Sequence, residues 1–237
     1  MGGEVDTIGI AEARSALVWW LESGVDSVVQ EEPRNWLKPS ALRHPAPAAD
    51  LRPNIAPPAH DTLAGLQQWL ASSLDLPFAA STGRRILPHG PENAAIMLLT
   101  EAPTFEDAAA GQPIGGDAWD LTQRMLAAIG LGAAEAYVAP LSCIASPGAK
   151  MSKDEFEACA ETARQHIRLA KPRRLLVFGG GPSRALLGKT LPEARGHVHT
   201  IEGVRTVATF HPRQLINQPS NKSLAWKDLL LLMEDDS

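Results

Sequence analysis

Apolar and polar positions along this chain switch between a helical and a strand period, and the switching predicts alternating helices and strands. Ala13, Leu17, Trp20, Leu21, Val25 and Val28 recur at helical spacing, so residues 10–30 read as one amphipathic helix. Trp19 and Trp20 are adjacent and cannot share a face, so one ring is expected on the body and the other against a loop or partner. Pro33, Pro39, Pro45, Pro47, Pro53, Pro57 and Pro58 follow before His60, a density that forbids regular helix or central strand and predicts an extended connector. Beyond it, residues 62–70 form a short helix capped by Asp61 or Thr62. Strands are then expected over 94–99, 136–142, 174–178 and 204–210. Helices are expected over 117–129, over 156–169 with Ser152 and Glu155 in capping-box spacing, over 183–187 and over 223–233.

Strands separated by helices imply an α/β fold with a parallel sheet covered on both faces. In such sheets ligands bind at the carboxyl ends of the strands, so the loops there are the ones to read. The organisation is a helix and Pro-rich extension over residues 1–60, then one α/β domain over 61–237. With 237 residues, 44% of them hydrophobic, the chain can build one large core.

Charge and cysteine content narrow the partners. A formal charge of −5 excludes coating nucleic acid by bulk attraction, yet leaves room for a local basic cleft. Cys143 and Cys159 are the only cysteines, too few for a disulfide scaffold or a four-thiolate metal site, and predict a reduced, cytoplasmic setting. No leader pattern or membrane-length apolar run is read, so no membrane partner is expected. A monomer is expected.

The strand-end loops hold the candidate chemistry. Pro212 fixes its own φ and pushes His211 toward extended geometry, which places an imidazole on a stiff corner after the last predicted strand. Glu101 follows the first strand; on that fragment alone it serves equally as a carboxylate at the sheet mouth or as the cap of a following helix. Gly111-Gln112-Pro113-Ile114-Gly115-Gly116 lets backbone amides approach a ligand, though a tight turn needs the same glycines. Gly179-Gly180-Gly181-Pro182-Ser183-Arg184 looks like a phosphate cradle but lacks the Lys-Ser/Thr ending of a nucleotide loop. Arg184, Arg213 and Lys222 are expected to border one cleft and hold phosphates. A carboxylate that positions water opposite an imidazole that stabilises a leaving anion suits hydrolytic displacement at a sugar carbon.

Taken in order, Thr100-Glu101-Ala102-Pro103-Thr104, the Gly111–Gly116 run, Arg124 to Leu131, Tyr137-Val138-Ala139-Pro140 and Thr209-Phe210-His211-Pro212 resemble the uracil-DNA glycosylase superfamily, most closely its iron–sulfur branch, family four. The resemblance runs from about Asp61 to the C-terminus and includes Asn221-Lys222 to Trp226-Lys227-Asp228-Leu229. It implies a three-layer α/β/α fold around a four-stranded parallel sheet, base flipping from DNA and hydrolysis of the N-glycosidic bond. It also implies that Glu101 activates water, that His211 stabilises the departing base, and that Ala102, Pro103, Ile114, Gly115, Pro140 and Arg213 are substrate contacts, with Arg184 and Lys222 on the DNA backbone.

The chain departs from that pattern at telling positions. Thr100 and Thr104 stand where glycine is usual and are expected to crowd the water site. Ile114 replaces an aromatic ring that stacks on the base, Pro140 an asparagine that reads its edge, and Arg213 a serine. Ser73 and Leu76 fall where the first pair of cluster cysteines is expected, and ungapped matching puts Ile144 and Ala160 at the other two. Two thiolates cannot hold a four-iron cluster, so no iron–sulfur centre is expected and apolar packing should pin the loops instead. The competing expectations are a non-catalytic member binding DNA or a protein through the same cleft and, behind it, a small-molecule nucleoside or nucleotide hydrolase on the same fold.

Overall fold

The structure is a computed structural model that describes residues 57–77, 83–145 and 151–234, together with Ser15 and Trp19. The chain divides into two units, Met1–Leu51 and Arg52–Ser237. Of the first unit, Ser15 and Trp19 are helical and exposed; Trp20, the rest of the amphipathic segment and most of the Pro-rich connector lie outside the described residues.

In the second unit the described elements run α1 (Leu63–Ser72), β1 (Ile96–Thr100), α2 (Phe105–Ala110), α3 (Gly116–Ala128), β2 (Ala136–Pro140), α4 (Lys153–Ala170), β3 (Arg174–Phe178), α5 (Gly180–Leu187), α6 (Leu191–Ala194), β4 (Val198–Ile201), β5 (Val204–Thr209), α7 (Pro212–Asn217) and α8 (Lys222–Met233). The sheet order is β2-β1-β3-β5-β4. β2, β1, β3 and β5 are parallel and are the four strands that the apolar runs predict. The sheet has five strands, however, because β4 adds an antiparallel edge: Ile201 pairs with Val204 across Glu202 and Gly203, both at positive φ. That two-residue turn has the primed hairpin form, but Glu-Gly is a weaker signal than Asn-Gly, and the largely exposed Val198-His199-Thr200 carries no apolar run.

Strands covered on both faces read as continuous apolar runs, and β1 is buried at all five positions. One face packs Leu99, Tyr137 and Val177 with Cys159, Ala163 and Ile167 of α4. The other packs Leu98, Val138, Leu176 and Val207 with α3 and α8 through Leu126, Leu229 and Leu232. The predicted capping box at α4 is present: Ser152 Oγ accepts from the Glu155 amide and Glu155 accepts from the Ser152 amide and hydroxyl. No helix among the described residues is long and apolar enough to cross a membrane.

Under β5 a buried hub fixes the strand that ends at the His-Pro corner. Asp228 of α8 is fully buried and accepts from Arg195 Nε and an Arg195 terminal amino group (3.2 and 3.0 Å), the Gly196 amide (3.1 Å) and the Thr209 hydroxyl (2.8 Å). Arg195 also lies over the Phe210 ring at 5.1 Å, next to His211. Burial raises the Asp228 pKa, against the lowering pull of Thr209 and Arg195.

Candidate active site

One cleft of about 320 Å³ opens over the carboxyl ends of β1, β3 and β5, lined by Glu101, Ala102, Thr104, Gly179, Gly180, His211, Arg213, Gln214, Asn217 and Gln218. It is large enough for a nucleobase and part of its sugar.

Each wall follows from local chemistry. Glu101 leaves β1 and accepts from the Gly181 amide at 3.0 Å, in the first turn of α5. The glycine run is therefore the start of a helix, and Glu101 meets that helix rather than the one following it in sequence, whose cap is Thr104. Gly179 has φ +85°, and a Cβ there would stand 2.7 Å from Glu101 Oε1, so only glycine lets β3 end this close to the carboxylate.

His211 is the N-cap of α7, and its Nδ1 accepts the Arg213 backbone N–H at 3.1 Å. A ring nitrogen that accepts must be bare, so the neutral imidazole carries its proton on Nε2, which donates to Thr100 Oγ1 at 2.9 Å. Burial, aided by the Arg213 charge and opposed by Asp107, lowers the His211 pKa to about 4. The ring is therefore neutral at pH 7 with one N–H to give.

Asp107, invisible as a site residue in the sequence, ties the remaining walls together. Its buried carboxylate accepts from the Thr104 amide and hydroxyl (both 2.8 Å), the Gly115 amide (2.7 Å) and the Arg213 guanidinium (2.9 Å). A capping-box position three residues after Thr104 was the available signal.

Several expectations are corrected by these placements. Thr104 is committed to its helix cap and Thr100 is buried beneath His211, so neither merely crowds a water site. Arg213 reaches the cleft, but its charge is paired with Asp107 at 2.9 Å and Glu106 at 3.8 Å. Arg184 lies in the last turn of α5, away from the first turn that meets Glu101, and Lys222 lines a separate apolar groove with Arg124 and Trp226. The three cations therefore do not border one cleft. Ile114 is 1% exposed and packs in the core with Ala118 and Leu215, because the Gly115 amide tied to Asp107 turns that loop inward. Pro103 and Gly115 are buried and do not line the cleft, whereas Ala102 does. Pro140, the last residue of β2, lines a different cavity with Leu76, Cys143, Cys159 and His166, because β2 is separated from β3 by β1.

A sequence profile of the Uracil DNA glycosylase superfamily matches residues 87–231, which span every strand of the sheet and both cleft residues Glu101 and His211. The chain belongs to the uracil-DNA glycosylase superfamily. Among its relatives, a type-4 uracil-DNA glycosylase of Pyrobaculum aerophilum is 26% identical over 153 residues, 60% of this chain and 78% of that protein. A type-4 uracil-DNA glycosylase of Archaeoglobus fulgidus is 25% identical over 141 residues, 55% of this chain and 71% of that protein.

The iron–sulfur branch of this superfamily raises the question of a cluster, and the residues do not fit one. Cys143 and Cys159 do face the same cavity, but Leu76 lines it with them, and burial pushes both thiols up to about 12, where a thiolate ligand is disfavoured. No group of three or more His, Cys, Asp or Glu side chains that could hold a metal occurs among the described residues. The segment from Leu70 to Ser73 is held by Arg85, which donates to the Leu70 and Ser73 carbonyls at 2.6 and 2.8 Å, and Leu66, Leu70, Leu76 and Ile144 pack beside Cys143.

Beside this cavity His166 bonds Tyr137 Oη through Nε2 at 2.7 Å, and burial lowers its pKa to about 4 as well. Unfolded histidines titrate near 6.5, so between about pH 4 and 6.5 the unfolded chain binds up to two more protons at His166 and His211 than the folded one. Stability is therefore expected to rise with pH through that window and to be lost as pH falls through it. Urea midpoints measured at pH 7, 6, 5 and 4.5 should show the decline, and His166→Gln should flatten it; an unchanged slope in that variant would contradict the assignment.

Proposed function

We propose that this protein hydrolyses the N-glycosidic bond of a deaminated base flipped out of DNA. The observation that carries the reading is the shared cleft, in which a carboxylate held by the Gly181 amide and a neutral imidazole with its proton on Nε2 stand at the ends of β1 and β5. The relatives named type-4 uracil-DNA glycosylases support it. In the step envisaged, the bond from C1′ to the base nitrogen breaks and its electron pair leaves with the base. The Nε2–H of His211 stabilises the resulting anion on the base carbonyl oxygen. Water attacks C1′ and loses its proton to Glu101, leaving an abasic sugar.

The test is abasic-site formation on single-stranded and duplex oligonucleotides carrying uracil, hypoxanthine or xanthine. Cleavable abasic sites are expected from at least one of the three. One observation favours a second reading, a binding member without catalysis: the only N–H that neutral His211 offers is already taken by Thr100. Uracil-dependent DNA binding with no abasic product from any substrate would select that reading.

The activity proposed needs no iron–sulfur cluster. Purified protein is expected to be colourless and without stoichiometric iron, since two protonated thiols and Leu76 face the cavity in question. About four irons per chain would overturn this.

A further inference from the structure

The cleft lacks the base-reading amide expected at position 140, since Pro140 has neither a side-chain amide nor an N–H and lies at another cavity. A flipped uracil or hypoxanthine presents an N–H next to a carbonyl, and leaving both unmet in a closed pocket costs selectivity. A carboxamide meets that edge with one acceptor and one donor.

Three carboxamides line the cleft, all from the segment after His211. Gln218 Oε1 already accepts from Asn221 Nδ2 at 3.0 Å, and Asn217 is exposed at the end of α7. Gln214 differs from both. It is half-buried, and its hydrogen bonds to the described residues run through its backbone alone, leaving the side-chain amide without a partner among them. Its backbone is fixed nonetheless: the Gln214 N–H donates to the His211 carbonyl at 2.8 Å, and its carbonyl accepts from the Gln218 N–H at 2.8 Å. The neighbouring Arg213 side chain is committed to Asp107. Gln214 is thus an uncommitted amide on a rigid backbone, three residues from the imidazole in the first turn of the same helix.

We propose that Gln214 reads the edge of the flipped base, its Oε1 accepting the ring N–H and its Nε2 donating to the adjacent carbonyl. The assignment rests on the glycosylase reading of the cleft for the base it names, but it concerns recognition and not bond cleavage. It moves the amide that reads the base from β2 to α7, onto the element that also carries His211.

The test measures binding and excision separately, on the full chain. The probe is a single-stranded oligonucleotide with one 2′-fluoro-2′-deoxyuridine, whose glycosidic bond resists hydrolysis; the reference is the same oligonucleotide methylated at uracil N3. Wild-type protein is expected to prefer the unmethylated probe, and Gln214→Leu to weaken its binding about tenfold to a hundredfold while leaving the methylated reference unchanged. Gln214→Glu, which keeps the acceptor and loses the donor, should weaken the unmethylated probe as well. Equal affinity of wild type for both oligonucleotides, or Gln214→Leu binding the unmethylated probe as wild type does, overturns the proposal. Uracil-selective binding lost in Gln214→Leu without any excision by wild type would sink the catalytic reading and leave this one standing. Excision by wild type together with Gln214→Leu binding the unmethylated probe as wild type does would do the reverse.

Discussion

Glu101→Gln and His211→Ala are each expected to lower single-turnover excision by about two to four orders of magnitude, the usual contribution of a positioned acid–base group or a charge-stabilising donor. Glutamine keeps an oxygen to accept the Gly181 N–H, so the β1 loop and the start of α5 should stay in place and the loss should report chemistry. His211→Ala removes both the Nε2–H and the acceptor of the Arg213 amide, so the first turn of α7 loses its cap. For that reason His211→Asn, which restores a side-chain cap without an imidazole, is the better control. Rates within a fewfold of wild type for both Glu101→Gln and His211→Asn would remove this pair from the mechanism.

Asp228→Ala is expected to destabilise the protein by about 3–5 kcal/mol, the range for removing one member of a buried ion pair. The carboxylate is the common acceptor for Arg195, Gly196 and Thr209, so the variant strands a guanidinium, an amide and a hydroxyl at one place. Urea unfolding should show a lower midpoint with little change in slope. Asp228→Leu combined with Arg195→Met removes the stranded charge and should recover part of the loss. A double variant as unstable as Asp228→Ala would show that the charge left behind is not the main cost. Because Thr209 ends β5 and Arg195 packs on Phe210, excision is also expected to fall in Asp228→Ala even where the protein remains folded.

The parallel sheet was readable because its strands are buried on both faces and so appear as unbroken apolar runs, as over residues 96–99 and 175–178. β4 was not, since it is a short edge strand with polar, exposed positions joined by a Glu-Gly turn. Glu101 and His211 were readable for a related reason: each follows directly on such a run, so topology alone sends both to the same end of the sheet. Asp107 and Gln214 sit on short helices whose direction is set by the cap at Thr104 and by the corner at His211, and no period in the sequence reveals which way their side chains turn. Ile114 and Pro140 illustrate the opposite error. Matching positions to a motif located them in order along the chain but not in depth, and depth is decided by the hydrogen bond from Gly115 to Asp107 and by the place of β2 in the sheet.

The strand order also sets a fixed gauge for the cleft. Glu101 and His211 leave β1 and β5, which are next-nearest neighbours with β3 between them. Adjacent strands lie about 4.8 Å apart, so the two chain exits are separated by about 10 Å, and the glycine-rich exit of β3 forms the floor between them. That width belongs to the backbone ladder and cannot be tuned by exchanging side chains along the lip. Ligands of different breadth must therefore be sorted by what projects into a gap of constant span, and variants selected for a new base should accumulate changes on α7 while the strand exits stay as they are.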